Sequence, residues 1–166
     1  MGKRSNFPRF KLDDYPTPKA AVGFLLPHIP MGSTFIEPCA GSGALTSHLV
    51  EAGLYRVASL DISTGWDAIS QVYEYKADFF ITNPPWSRNI LHPIILNLSR
   101  QKPTWLLFDA DWAHTKQAAP YLQFCRKIVS IGRLKWIQGS PYTGKDNCCW
   151  YFFTSEKSPP TIFIGR

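Results

Sequence analysis

Thr34-Phe35-Ile36-Glu37-Pro38-Cys39-Ala40-Gly41-Ser42-Gly43-Ala44-Leu45-Thr46, continued through Leu49, Val50, Ala52 and Gly53 to Arg56-Val57-Ala58-Ser59-Leu60-Asp61, is the stretch that decides the fold. Thr34 to Glu37 reads as a short strand stopped by Pro38, which has no N–H for a sheet ladder. Gly41 and Gly43 then turn the chain, and the apolar residues from Ala44 to Ala52 predict a helix ended by Gly53. Arg56 to Asp61 is the following strand. Strand, glycine turn, helix and strand make a nucleoside-binding βαβ unit. Its glycines let backbone approach a ligand, and Asp61, twenty residues after Gly41, is placed to accept hydrogen bonds from two ribose hydroxyls.

Working outward, Asp78 to Thr82 predicts a buried strand, Ile90 to Ser99 a helix, Trp105 to Phe108 a strand and Lys116 to Arg126 a helix. Upstream, Thr17 as N-cap and Pro18 at the first helical position open a helix that ends before Pro27. This alternation predicts an α/β, Rossmann-like fold with a mostly parallel sheet. Val129 to Ile137 and Cys148 to Thr154 read as an antiparallel C-terminal hairpin joined by residues 138–147. The expected organisation is a basic irregular segment at residues 1–14 and a single catalytic domain at residues 15–166, without a separate target-recognition domain.

The chemistry is concentrated in Asn83-Pro84-Pro85-Trp86, directly after the strand that ends at Thr82. An exocyclic amine on a planar base is a poor nucleophile because its lone pair is delocalised into the ring. Two acceptors aimed at its hydrogens help to localise that pair. Asn83 offers a side-chain oxygen and Pro84 a backbone carbonyl, held stiffly by two successive prolines. Trp86 offers a face for the base, a contact worth roughly 1 to 3 kcal/mol. The competing reading is an ordinary turn followed by a buried tryptophan.

Glu37 and Thr46 argue against a dinucleotide in the glycine turn. Thr46 stands where the dinucleotide pattern has its third glycine, and Glu37 sets a negative charge where a pyrophosphate would lie. A ligand with a positive charge and a free amino group suits that carboxylate, and S-adenosylmethionine has both. Separately, Glu37 could be a surface carboxylate and Asp61 a helix cap; together with Gly41, Gly43 and Asn83 the cofactor reading is the stronger.

The chain has 166 residues, 18 Lys and Arg against 12 Asp and Glu, and a net charge of +6. This favours a polyanionic partner. The positive residues cluster at Lys3, Arg4, Arg9 and Lys11 and again at Arg126, Lys127, Arg133 and Lys135. Cys39, Cys125, Cys148 and Cys149 form no Cys-x-x-Cys pattern, so no metal site is expected and the thiols are read as reduced. No apolar segment approaches the roughly 20 residues that span a bilayer. A soluble protein of the bacterial cytoplasm or of a phage-infected cell is expected; the oligomeric state stays open.

With these motifs in hand the chain resembles the class I, S-adenosylmethionine-dependent amino-methyltransferases, and among them the small phage and prophage DNA N6-adenine methyltransferases. Asp13-Asp14-Tyr15-Pro16-Thr17-Pro18 is similar to the family's amino-terminal cofactor motif, Phe35 to Gly43 to its glycine-rich motif, Leu60-Asp61-Ile62 to its ribose motif and Asn83 to Trp86 to its catalytic tetrad. The tail from Lys135-Trp136 through Gly144-Lys145-Asp146-Asn147 to Trp150-Tyr151 is similar too.

The resemblance implies that Tyr15, Thr17 and Pro18 enclose the methionine end, that Glu37, Cys39, Gly41, Gly43, Asp61 and Asn83 contact the cofactor, and that Ile62 and Asp67 meet its adenine. It also implies methyl transfer to N6 of adenine in DNA. Sequence-specific relatives carry a separate recognition region that is missing here, which leaves Arg88, Lys135, Lys145 and Asn147 as the candidate nucleic-acid contacts. RNA adenine and DNA cytosine N4 remain alternatives within the same chemistry. A protein glutamine or an inactive nucleic-acid-binding scaffold fits less well.

Overall fold

The structure, a computed structural model, describes residues 15–137, 139–156 and 160–166. The basic cluster at Lys3 to Lys11 lies outside these residues. Seven strands form one sheet: β1 Thr34–Glu37, β2 Tyr55–Ser59, β3 Phe79–Thr82, β4 Thr104–Asp109, β5 Cys125–Arg133, β6 Asn147–Phe153 and β7 Ile162–Ile164. Their order is β2-β1-β3-β4-β6-β5-β7. The first four run parallel, and β6 lies antiparallel between β4 and β5. The helices are α1 Lys19–Leu25, α2 Ala44–Glu51, α3 Arg88–Gln101 and the single turn α4 Ala119–Leu122.

The strands are continuously apolar because both faces of the sheet are covered. Ile36, Phe80, Leu106, Phe108 and Tyr151 point to the face packed by Leu91, Ile94, Ile95 and Leu98 of α3. Their neighbours Phe35, Ile81, Trp105, Leu107 and Trp150 point to the other face, under Val22 and Leu25 of α1 and Leu45 and Leu49 of α2. The Trp150 indole N–H donates to the Ala21 carbonyl at 2.9 Å, which ties α1 to β6.

Several elements differ from the sequence expectation, each for a local reason. Pro18, not Thr17, is the N-cap of α1, because the Thr17 hydroxyl is engaged in the site described below. The helix predicted for Lys116 to Arg126 is a 3-10 turn, Lys116–Ala118, followed by α4. Residues from Cys125 onward instead join β5, paired with Phe153 of β6. β5 also ends at Arg133, four residues earlier than expected, after the register shift at Ser130 and Gly132. Asn147, expected in the connecting loop, is the first residue of β6. The hairpin does not close the sheet, since the short strand β7, missed in the sequence, adds parallel to β5 beyond it.

Candidate active site at the carboxyl ends of the parallel strands

β1, β3 and β4 end side by side, and the turn after β2 lies next to β1, so Glu37, Asp61 and Asn83 are carried to one end of the sheet. This is where open α/β sheets hold their ligands. A cleft there is lined by Tyr15, Pro16, Thr17, Glu37, Cys39, Ala40, Gly41, Ser42, Ala44, Leu45 and Asn83. The glycine turn has a left-handed backbone, with φ of 48° at Gly41 and 80° at Gly43. A β-carbon would strain either position.

Glu37 is only 2 % exposed. Its carboxylate accepts a hydrogen bond from the hydroxyl of Thr46 on α2, which in turn shares one with Ser59 at 3.1 Å. Burial pushes the carboxyl up to about 8; the Thr46 hydrogen bonds oppose the rise and the negative charge of Asp61 adds to it. Among the described residues the ion pairs are Lys19 with Glu51, Arg88 with Asp109 and Arg126 with Glu156, so none neutralises Glu37. Cys39 senses the same field: burial, together with Asp61, Glu37 and Asp67, lifts its thiol to about 12 against a hydrogen bond with Thr82. That thiol is therefore protonated and a poor nucleophile near neutral pH.

Asp61 does two jobs at once. One oxygen accepts from the Gly41 N–H at 2.9 Å and fixes the glycine turn. The other accepts from the N–H and hydroxyl of Ser63, capping the 3-10 turn Ile62–Thr64. Burial resists its ionisation, but the Ser63 and Gly41 hydrogen bonds outweigh this and hold it below the usual carboxylate range. The oxygen bonded to Gly41 keeps an acceptor site for a further donor, whereas the one bonded to Ser63 already accepts two. Asp61→Ala is expected to weaken S-adenosylmethionine binding by about 10- to 100-fold in calorimetry, the loss of one charge-assisted hydrogen bond. Unchanged affinity would remove its assignment to the ribose.

Ile62 is 63 % exposed beside Asp61 and has an uncovered apolar face. Asp67 caps its own turn, accepting from the Ile69 N–H at 2.9 Å and the Ser70 hydroxyl at 3.1 Å. Neither residue lines the cleft, and neither do Pro18, Gly43 and Asp61.

At the tetrad, Asn83 Nδ2 donates to Thr17 Oγ1 at 3.2 Å and the Trp86 indole N–H donates to Asn83 Oδ1 at 3.1 Å. Pro84 is buried, while Pro85 and Trp86 are half-buried. Trp86 meets Trp136 edge to face with centroids 5.7 Å apart, and Trp136 meets Tyr15 at 6.2 Å. Trp136 was not among the expected site residues. It stood only in the tail resemblance that begins at Lys135-Trp136, and the β5–β6 connection is what places it beside the tetrad. Gly144 makes that placement possible: its N–H donates to the Leu134 carbonyl at 2.7 Å, and a β-carbon there would come within 2.8 Å of the Trp136 ring. Thr46 and Ser59, which hold Glu37, were likewise not expected as site residues, although Thr46 stood out in place of the third glycine.

The expected nucleic-acid contacts are scattered. Arg88 opens α3 and is paired with Asp109 at 3.0 Å, half-buried. Lys135 and Asn147 are exposed and Lys145 is half-buried, all on or beside the β5–β6 connection with Trp136.

No family profile and no curated protein sequence matches the chain. Solved structures do resemble it. A protein from Pyrococcus horikoshii described as an RNA methyltransferase is 16 % identical over 93 % of this chain and 92 % of its own, with a TM-score of 0.58. A dimethyladenosine transferase from Plasmodium falciparum is 16 % identical over 84 % of this chain and 62 % of its own, with a TM-score of 0.53. The methyltransferase subunit of a type I restriction-modification system from Streptococcus thermophilus is 10 % identical, with a TM-score of 0.53; the match covers 92 % of this chain but 47 % of that one. At such identities the architecture is what is shared, and this chain has the Rossmann-like methyltransferase fold.

Proposed function

We propose that the protein transfers a methyl group from S-adenosylmethionine to the exocyclic N6 amine of adenine in a nucleic acid, with DNA as the favoured polymer. The observation that carries this reading is the position of Asn83, between a cleft holding the buried Glu37 carboxyl, which no cation among the described residues pairs with, and a half-buried aromatic pair. The donor set fits the cofactor: Glu37 for a cationic amino group, the Gly41–Gly43 turn for close backbone approach, and Asp61 for ribose hydroxyls. S-adenosylmethionine, when bound, supplies an electrophilic methyl on a sulfonium centre. The residues of the chain position the amine for in-line attack, with Asn83 Oδ1 and the Pro84 carbonyl accepting its hydrogens and Trp86 packing on the base. A base in a duplex must leave its stack to reach this site, at a cost of a few kcal/mol.

The methyltransferase fold supports the reaction class, and the restriction-modification subunit and the dimethyladenosine transferase that share it act in the same field. RNA adenine and cytosine N4 would present the same amine to Asn83. Incubation with radiolabelled S-adenosylmethionine and a panel of duplex DNA, single-stranded DNA and RNA, followed by nucleoside analysis, tests the proposal. Label in N6-methyladenine from DNA is the expected result; label only in RNA or in methylcytosine replaces the substrate, and label in protein replaces the class.

Binding to DNA should weaken steeply with salt. If Arg133, Lys135 and Lys145 each meet a phosphate, the log–log slope is about −2 to −3, and replacing Lys135 and Lys145 together with alanine flattens it by between about one and two. A flat response in the parent protein would favour a protein substrate.

A further inference from the structure

Which way the Asn83 amide faces decides whether an oxygen or an NH2 group meets the substrate amine. Two side chains hold that amide, and they are not equivalent. The Thr17 hydroxyl takes the Nδ2 hydrogen at 3.2 Å, but a hydroxyl both donates and accepts. It would serve an amide rotated by half a turn just as well, donating to the oxygen instead. The indole N–H of Trp86, 3.1 Å from Oδ1, only donates. A rotated amide would set its NH2 against that N–H, donor to donor. The indole alone therefore distinguishes the two orientations, and it occupies only one of the two acceptor sites of Oδ1.

We propose that Trp86 is a positioning residue, whose indole N–H locks the Asn83 amide with Oδ1 presented to the substrate amine. This role is separate from its contact with the base and rests on the function proposed above. The surroundings favour a fixed indole. Trp86 is half-buried, packs against the cores on both faces of the sheet, and is held edge to face by Trp136, itself kept over the tetrad by the Gly144 turn. Thr17 is 5 % exposed, so the other end of the amide is held as well. Unlike phenylalanine and tyrosine, tryptophan combines a large flat face with a donor in the ring. A phenylalanine would keep the face and lose the lock.

The test replaces Trp86 with β-(3-benzothienyl)alanine, a tryptophan in which sulfur takes the place of the N–H, and in parallel with phenylalanine. Turnover is expected to fall about tenfold in both, the loss of one ordinary hydrogen bond, with KM for the polynucleotide within about twofold and cofactor affinity unchanged. Wild-type turnover in the benzothienyl variant, or a loss confined to KM, overturns the proposal. A readout that needs no activity accompanies it. In the 15N-labelled parent protein the Trp86 indole proton should be protected from exchange, and its resonance should shift and lose protection in Asn83→Ala. An unprotected indole proton overturns the lock even if no substrate is ever methylated. A protected one in a protein that methylates neither DNA nor RNA keeps the lock and removes the functional reading instead.

Discussion

Asn83→Ala is expected to reduce methyl transfer by about 10³-fold while S-adenosylmethionine affinity stays within about threefold. The first figure is the range lost when a preorganised polar group aimed at a reacting atom is removed. Here that group is Oδ1, and the Pro84 carbonyl is left as the sole acceptor for the amine. The second follows from placement: Asn83 lines one side of the cleft with Glu37 and Gly41, and the proposed cofactor contacts of Glu37, Gly41 and Asp61 are left in place. Alanine also strands the Thr17 hydroxyl and the Trp86 indole N–H, each bonded to Asn83. Since each lost partner costs about 1 kcal/mol, a thermal melt must show that the variant is folded at the assay temperature. Near-normal turnover in a folded variant would exclude Asn83 from the chemistry.

Glu37→Gln should act in opposite directions on stability and on cofactor binding. The Glu37 carboxyl is raised from 4.5 to about 8 in the folded chain, chiefly by burial. Below pH about 4.5 it is protonated in both folded and unfolded chains and contributes nothing to the balance. Between 4.5 and 8 the unfolded chain is ionised there and the folded chain is not, so stability declines as pH rises. Above about 8 the penalty is complete, roughly 3 to 5 kcal/mol. Glutamine keeps the size and the Thr46 partner but has no charge to desolvate. The variant should therefore be more stable than the parent at pH 8, with the difference vanishing near pH 4.5.

Cofactor binding reverses this advantage. A cationic ligand favours the ionised carboxylate, so binding to the parent should release close to one proton at pH 7, and affinity should climb with pH up to about 8. Calorimetry in buffers of different ionisation enthalpy measures the proton count. In Glu37→Gln the release should disappear and affinity should fall about 100-fold or more, as for a charge-assisted hydrogen bond in a dry site. A glutamine variant that binds as tightly as the parent removes Glu37 from the site.

Legibility in the sequence followed the range of the forces involved. Thr34 to Asp61 was readable because a glycine turn between an apolar strand and a helix is a local signal, and the φ values of Gly41 and Gly43 bear it out. The strand ending at Thr82, which carries the tetrad, was readable from its local apolar run. The helix expected at Lys116 to Arg126 failed because Cys125 and Arg126 are taken up by the sheet, a partner more than 25 residues away in sequence. β7 was missed because three residues at the sheet edge carry almost no pattern. At Asp61 the capping reading is seen, since it caps a turn and tethers the glycine loop, and one acceptor site is left on the oxygen bonded to Gly41.

The sequence by itself determined the βαβ unit, the mostly parallel sheet and which side chains stand at the carboxyl ends of its parallel strands. Each of these depends on hydrophobic period, glycine, proline and strand-end position, which act over a few residues. Only the tertiary structure decided the state of those side chains. Glu37 is dry because Thr46 and the surrounding core close over it. Asn83 is held between Thr17, which is 66 residues away, and Trp86. Trp136 reaches the tetrad because β6 inserts between β4 and β5. Desolvation and hydrogen-bond direction depend on neighbours distant in the chain, so no local motif encodes them.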